Sequence, residues 1–267
     1  MQFYHSKLLS NVSNITHVFT TQASGNLAFH VNDNPNNIRH NHIELAKALN
    51  YNYKTLVHMK QIHSNKVHIV NKNDDFLNPP TCDAIITSSL NTPLMVMVAD
   101  CSPILFFDKV QNVIAVAHAG RQGTFNNIVK NVINSFKNNY ASNTQDIIVV
   151  VGPSIKKCCY EVGDEIFEES CKLHLEYAIQ SIDARYYLDI SKILKTQLID
   201  AGIQEQNIDM SKECTCCKKD KVNCEAREGS LGYKVNCEAR EGSLGYKYYS
   251  YRAQKDCGRF SGVILLK

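Results

Sequence analysis

The feature that most restricts the fold of this chain is a series of short, nearly continuous apolar segments between residues 84 and 151. Each segment has four to six residues, whereas a membrane-spanning helix requires about 20. Short apolar segments that are bounded by polar turns are typical of strands buried on both faces. The five segments are Ala84–Thr87, Leu94–Ala99, Ile104–Phe107, Val113–Ala117 and Ile147–Val151. The sequence therefore predicts a core built on β-sheet.

Helical and extended segments alternate around this core. From Gly123 to Lys137 the apolar residues recur with a period of about 3.6 residues, which predicts a helix. Further helices are predicted at Ile43–Leu49 (capped by Asn41), Glu165–Cys171 and Ile190–Ile199. Further strands are predicted at residues 14–21, Thr55–Met59, Lys66–Val70, Tyr248–Tyr251 and Gly262–Leu266. The predicted fold is α+β: mixed β-sheet layers flanked by helices in an αββα-like sandwich, as a single domain over residues 1–267.

An exact tandem repeat interrupts this pattern near the carboxyl end. The thirteen residues VNCEAREGSLGYK occur at Val222–Lys234 and again at Val235–Lys247. Repeats that build a solenoid have longer periods and need about three or more copies to bury a core. The polar composition also leaves little apolar surface to offset the entropy of ordering. We therefore expect residues 222–247 to be an inserted, mobile loop rather than a functional element.

Composition and charge restrict the class of protein. Hydrophobic residues make up 44% of the chain and charged residues 21%, as in ordinary soluble enzymes. The formal net charge of +3 is too small, and basic runs too short, to indicate nucleic-acid or membrane partners. No export signal is recognised at the amino terminus, so a cytoplasmic location is expected, as a monomer or a homodimer. Under reducing conditions the eleven cysteines are expected to be free thiols or metal ligands.

Three residues at the ends of predicted strands could form one site. His63 lies in QIHS between two strands, Cys101 follows the apolar run LMVMVA, and His118 ends the run VIAVA. A thiolate with two imidazoles is a common zinc ligand set, and three protein ligands leave a fourth position open. Spacing alone does not distinguish this from a buried apolar cysteine and two unrelated histidines. Asp83 and Asp100, beside these motifs, could orient a ligand or make plain structural hydrogen bonds.

Several motifs, taken in order, resemble one known family. KQIHSNKV, CDAIITS, PLMVMVADCSPILFFD, VIAVAHAGRQGT, VGPSIKKCCYEVG and YSYRAQKDCGR stand in the order and approximate spacing of the zinc-dependent purine nucleoside phosphorylases, a group also described as multicopper polyphenol oxidases. The resemblance extends from about Phe19 to the carboxyl terminus. It implies a Zn²⁺ site formed by His63, Cys101 and His118, which would also be the catalytic residues.

The resemblance also implies the reaction. It implies phosphorolysis of adenosine, inosine, guanosine and methylthioadenosine, with adenosine deamination as a second activity. The chain departs from the family at three arginine positions: HAGWRG is replaced by a segment with Arg121 and Gln122, FTTR ends in Gln22, and SYRR ends in Ala253. Arg121, Arg252 and Arg259 remain as candidates to bind substrate, because phosphate requires positive partners.

The remaining cysteines have simpler interpretations. Cys158 and Cys159 are expected to be buried thiols near the pocket wall. The segment from Cys214 to Cys217 is expected to be structural packing, because a zinc knuckle needs a second ligand pair and only Cys224, inside the repeat, suggests itself.

Alternative functions stay open. A thiol hydrolase would use Cys101 as nucleophile and His118 as base. Copper-dependent phenol oxidation would call for more histidine-rich sites than one triad. A degenerate family member that retains the metal site without catalysis is the third alternative.

Overall fold

The computed structural model describes residues 1–221 and 244–267. Within these residues the chain forms fifteen strands and six α-helices. The strands are β1 (Phe3–Tyr4), β2 (Ile15–Thr20), β3 (Val67–Ile69), β4 (Ala84–Thr87), β5 (Leu94–Val98), β6 (Ser102–Asp108), β7 (Val113–Ala119), β8 (Ile147–Val151), β9 (Glu161–Val162), β10 (Ile179–Ile182), β11 (Arg185–Leu188), β12 (Ile208–Met210), β13 (Lys219–Lys221), β14 (Leu244–Tyr246) and β15 (Phe260–Leu266). The helices are α1 (Lys7–Ser10), α2 (Pro35–Leu49), α3 (Arg121–Phe125), α4 (Ile128–Tyr140), α5 (Asp164–Lys172) and α6 (Ile190–Asp200).

Two sheets form the centre of the fold. A six-stranded sheet has the order β12-β8-β6-β7-β4-β3, and a four-stranded sheet has the order β1-β2-β15-β5. The antiparallel pair β6 and β7 is central to the larger sheet, with Ser102 opposite Ala119 and Asp108 opposite Val113. Smaller sheets, β10-β11-β9 and β13-β14, complete the described strands.

The two central sheets pack face to face between helices. Because side chains alternate along a strand, Ile104 and Phe106 of β6 face α4 and α6, whereas Leu105 and Phe107 face the four-stranded sheet. The far face of the four-stranded sheet packs against Leu45 and Leu49 of α2. The predicted α+β fold with αββα-like layers is confirmed.

The predicted helix over Gly123–Lys137 is divided in two. Asn127 adopts a left-handed conformation with φ of 53° between α3 and α4. Its side-chain oxygen accepts a hydrogen bond from the Lys130 amide at 3.0 Å and so caps α4. Asparagine tolerates the left-handed region better than most residues. The local preference of Asn127 therefore overrides an apolar period that continues through it.

Three other element predictions were wrong in part. The helix predicted at Ile43–Leu49 begins at Pro35, capped by Asn34, while Asn41 lies inside it. Thr55–Met59 is not a strand and contributes one isolated bridge, from Val57 to Leu94. Tyr248–Tyr251 lies in an irregular segment, where Tyr248 is buried and donates a hydrogen bond to Glu213. Aromatic residues are common in strands, but here the Tyr248 ring is buried beside its side-chain partner instead of joining a sheet.

No helix in residues 1–221 or 244–267 has the length and apolar character needed to span a membrane. The repeat at residues 222–247 lies almost entirely outside the described residues, and only its last four belong to the structure. Its predicted mobility stays a prediction.

Candidate metal centre and active site

The three predicted ligands meet at one end of the sandwich. His63 lies in the turn before β3, Cys101 lies between β5 and β6, and His118 lies in β7. Their ligand atoms are all within 4.8 Å of one another. The link that carries Cys101 passes from the four-stranded to the six-stranded sheet. The tertiary fold therefore assembles a sulfur and two imidazoles from segments that are far apart in the sequence.

Asp83, directly before β4, organises two of these three segments. Its buried carboxylate accepts hydrogen bonds from the amides of Ile62, His63 and Ser64 at 3.3, 3.0 and 2.7 Å. The same carboxylate lies 2.8 Å from Nδ1 of His118. An acceptor at Nδ1 fixes the orientation of the ring and leaves Nε2 for a ligand role. Asp83 therefore holds both histidine segments in place.

The electrostatics of the group favour a thiolate. Burial opposes ionisation of Cys101, but the neighbouring His118 and His63 lower its pKa to about 6. Burial opposes charging of His118, yet the Cys101 sulfur and the Asp83 carboxylate raise its pKa to about 9. For Asp83, hydrogen bonds from His118 and Ser64 outweigh burial and lower the pKa to about 2. Without a metal, these shifts favour a Cys101 thiolate beside a protonated His118. A bound cation would take the place of the His118 proton, and a thiolate with two neutral imidazoles suits a borderline cation.

Asp100 has a different role from Asp83, although the sequence placed them on equal terms. Its backbone is left-handed, with φ of 89°. Its carboxylate accepts hydrogen bonds from the Thr215 hydroxyl and the Arg252 amide, each at 2.7 Å. An unusual backbone conformation of this kind persists only where surrounding contacts hold it. Asp100 therefore fixes the turn that presents Cys101, by contacts remote from the histidines.

Gly120 leaves the space that the triad needs. A Cβ atom at this position would lie 3.0 Å from the Cys101 sulfur and 3.1 Å from Cδ2 of His63. Both distances are shorter than ordinary van der Waals contacts. The glycine of the HAG motif is therefore explained by close packing against two candidate ligands.

A cavity of about 960 Å³ opens onto the triad. One part of its wall is apolar and includes Phe29, Met59, Phe76 and Met97. The three arginines predicted to bind substrate also line it, and so do Arg39 and Lys60, which sequence reasoning missed. Arg39 lies on a helix surface outside every quoted motif, and Lys60 begins the motif KQIHSNKV, where nothing local indicates that its side chain faces a cavity.

The three predicted arginines differ in their surroundings. The guanidinium of Arg121 forms an ion pair with Glu169 and lies 5.6 Å from the centre of the Phe125 ring. Arg252 lies over the Tyr160 ring at 5.4 Å. Arg259 donates hydrogen bonds to the carbonyl oxygens of Cys257 and Gly258 at 2.7 and 3.0 Å. Because the Glu169 carboxylate already neutralises the charge of Arg121, we expect Arg121 to bind phosphate more weakly than the other two arginines.

The donor set fits a zinc ion. One sulfur and two imidazole nitrogens are an established zinc combination, and the adjoining cavity gives access for a fourth ligand. The carboxylate behind His118 is the usual support of a metal-binding imidazole.

Sequence comparison decides the family. A family model described as multi-copper polyphenol oxidoreductase laccase matches residues 13–236. The chain belongs to this laccase-like family. The laccase-like relatives include a purine nucleoside phosphorylase of Clostridium acetobutylicum, which is 35% identical over 67% of this chain and 74% of its own length. The purine nucleoside phosphorylase YlmD of Bacillus subtilis is 30% identical over 74% of this chain and 78% of its own length.

The match to mammalian laccase-like proteins is partial. The mouse purine nucleoside phosphorylase LACC1 is 31% identical over 72% of this chain, but the match spans only 45% of that protein. Solved structures share the fold over nearly the whole chain. A Bacillus licheniformis protein, YfiH, has a TM-score of 0.80 and 27% identity, covering 95% of this chain and 93% of its own. YlmD of Geobacillus stearothermophilus has a TM-score of 0.80 at 23% identity, which supports the fold alone.

Proposed function

We propose that this protein is a zinc-dependent purine nucleoside phosphorylase, with His63, Cys101 and His118 as metal ligands and catalytic residues. The observation that carries the proposal is the convergence of these three ligand atoms, within 4.8 Å, beside a cavity that also contains cationic side chains. Relatives that carry the name purine nucleoside phosphorylase support the reaction class. The proposed substrates are adenosine, inosine, guanosine and methylthioadenosine together with inorganic phosphate.

The cavity offers complementary surfaces for the two substrates. The apolar wall with Phe29 and Phe76 suits a purine ring, because aromatic faces stack on flat heterocycles. Arg252 and Arg259 suit phosphate, since guanidinium groups bind its oxygens in pairs. Holding both substrates in one cavity replaces an encounter in solution by a positioned reaction at the ribose C1′.

The metal would supply Lewis-acid stabilisation of oxygen atoms near the reacting bond. The chain's own residues would orient it. Asp83 keeps His118 in a single ring orientation, and the strained turn at Asp100 presents Cys101.

The cavity is also large enough for a nucleoside, since ligand pockets commonly measure about 300–1,000 Å³. We further propose adenosine deamination as a second activity of the same site.

The direct test is release of the base from adenosine and inosine, with and without phosphate, on protein of known zinc content. Phosphate-dependent release that disappears in both Cys101→Ala and His118→Ala is the expected result. Cys171→Ala is the matched control, because this half-buried cysteine lies on α5, apart from the ligand triad. Inosine formed from adenosine without phosphate would establish the deaminase activity. No turnover by a folded, zinc-loaded protein would contradict the proposal and indicate a degenerate member.

A thiol hydrolase is the second candidate, and one contact favours it. His118 lies between Asp83 and Cys101, in the order of acid, base and nucleophile that activates a thiol. The two candidates differ in their response to metal removal. Chelation should abolish phosphorolysis, whereas a thiol hydrolase should keep or gain activity and should lose it on alkylation of Cys101. Metal analysis of the purified protein determines whether it binds zinc, as proposed, or copper, as the description of the family suggests.

A further inference from the structure

Four other cysteines come together beyond the triad. Cys158 and Cys159 follow β8, and Cys214 and Cys217 lie in the turn before β13. The four sulfur atoms are all within 4.8 Å of one another, and those of Cys158 and Cys217 are 3.8 Å apart. The expectation that Cys158 and Cys159 are buried was wrong, because Cys158 is exposed and Cys159 is only half-buried. A zinc site at Cys214 and Cys217 needs a second pair of ligands, which the neighbouring sequence lacks. In the folded chain, Cys158 and Cys159 provide this pair.

We propose that Cys158, Cys159, Cys214 and Cys217 bind a second zinc ion as a four-thiolate structural site. A tetrahedral zinc centre with Zn–S bonds of about 2.3 Å has S–S edges of about 3.8 Å. The separation of the Cys158 and Cys217 sulfurs equals this edge. On binding, each thiol gives up its proton and donates an electron pair to Zn²⁺, so no oxidant is needed.

The surrounding backbone is arranged for a thiolate at Cys214. The amide of Lys156 lies 3.4 Å from its sulfur, and the amides of Cys216 and Cys217 also donate to that sulfur. Amides aimed at a sulfur stabilise its charged form. Four thiolates around Zn²⁺ carry a net charge of −2, and the charge of Lys156, which interacts with Cys214 and Cys158, would partly offset it. Both the hydrogen bonds and the charge pattern suit bound metal.

The ion would join a segment that borders the active-site cavity to a second segment that holds Asp100 in place. Ser154 and Cys214 form an isolated parallel β-bridge. Within it, the Thr215 amide donates a hydrogen bond to the Ser154 carbonyl at 3.2 Å. Tyr160, directly after the cysteine pair, lines the cavity. Thr215, between the second pair, holds Asp100 beside Cys101. Because four protein ligands leave no open position, the ion would be structural. This inference does not depend on the proposed phosphorolysis.

The test is the zinc content of the full chain, purified with a phosphine reductant, saturated with zinc and desalted. Wild-type protein should retain two zinc ions per chain. One ion should remain in Cys158→Ser/Cys217→Ser, and one in His63→Ala/Cys101→Ala/His118→Ala. Cys171→Ser should retain two, since its sulfur is in neither group.

X-ray absorption of the triple variant identifies the ligands and does not depend on folding of the cysteine variant. Four sulfur neighbours at about 2.3 Å are expected. The proposal is overturned if the folded triple variant retains no zinc, or if its zinc has nitrogen or oxygen neighbours in place of sulfur. A Cys158–Cys217 disulfide that persists in reduced, zinc-treated protein would also overturn it.

Discussion

At the scale of single residues, the candidate centre depends on a residue that does not touch the proposed metal. Asp83 accepts hydrogen bonds from three successive amides and contacts the ring of His118. A buried carboxylate with this many donors holds its charge and its position together. The orientation of two ligands therefore follows from one side chain.

Asp83→Asn should weaken zinc binding at the triad by about 10- to 100-fold, the usual effect of removing such a partner. An asparagine amide has only one acceptor oxygen. Its NH₂ group would face backbone N–H donors, such as those of His63 and Ser64, that need an acceptor. Competition with a chromophoric chelator measures the affinity. Asp74→Asn is the matched control, because Asp74 also pairs with a histidine, His68 at 2.7 Å, outside the cavity of the triad. An equal loss in both variants would contradict the special role of Asp83.

The arginines should differ in their effect on phosphate binding. Arg252→Ala should raise the KM for phosphate about 10-fold or more, whereas Arg121→Ala should raise it less, because Glu169 already compensates the Arg121 charge. Steady-state kinetics at saturating inosine give both values. Arg185→Ala, which removes an exposed arginine paired with Glu161, should leave the KM for phosphate unchanged. A larger effect of Arg121 would show that its ion pair opens when phosphate binds.

At the scale of secondary-structure elements, helix α2 contains a buried histidine that links the fold to pH. His42 donates a hydrogen bond from Nε2 to the Leu27 carbonyl at 2.8 Å, while its Nδ1 has no partner among the described residues. Burial lowers its pKa from 6.5 to about 4, although the contact with Leu27 acts in the opposite direction. The neutral ring is therefore the folded form.

The sign of the pH effect follows from this lowered pKa. The unfolded chain takes up a proton near pH 6.5 and the folded chain only near pH 4, so His42 destabilises the fold as pH falls through that interval. Between pH 7 and pH 5 the free energy of unfolding should fall by about 2 kcal/mol for this residue. His17, whose pKa burial also lowers to about 4, adds to the slope.

Urea unfolding at several pH values tests this prediction. His42→Gln should reduce the pH slope of the unfolding free energy, whatever its effect on stability at pH 7. His40→Gln on the same helix should leave the slope unchanged, because His40 is exposed. A slope that is equal in wild type and His42→Gln would contradict the assignment.

At the scale of the whole molecule, the candidate metal ligands found among the described residues all lie outside the repeat. The triad depends on segments before β3, before β6 and within β7, while the repeat follows β13. Strands β13 and β14 pair in antiparallel fashion on either side of the segment from 222 to 243. The length of the chain between two paired strands affects stability only weakly, because loop-closure entropy grows with its logarithm.

Deletion of one copy of the repeat, Val222–Lys234, should therefore leave zinc content and kcat unchanged. The free energy of unfolding should change by less than about 1 kcal/mol. Metal analysis, the phosphorolysis assay and thermal unfolding measure these three quantities in turn. A variant with a third copy is the matched control and should behave in the same way. Loss of activity on deletion would assign a functional role to the insertion.

The local sequence was sufficient to predict most elements of the core and to name the candidate ligands. Continuous apolar runs such as Leu94–Val98 and Ile147–Val151 are buried on both faces, and in that setting they form strands as predicted. Predictions failed where a side chain acted on its own backbone, as at Asn127, or where a distant partner determined the conformation, as Glu213 does for Tyr248. Such contacts are not encoded in apolar periodicity.

The sequence by itself therefore determined the layered α+β fold and named the residues of the candidate triad, because burial patterns and motif residues are local properties. Only the tertiary structure separated Asp83 from Asp100, added Arg39 and Lys60 to the cavity, and joined Cys158 and Cys159 to Cys214 and Cys217. Each of these depends on which strand ends meet in space. That is decided by how the two sheets pack, and no single segment contains the information.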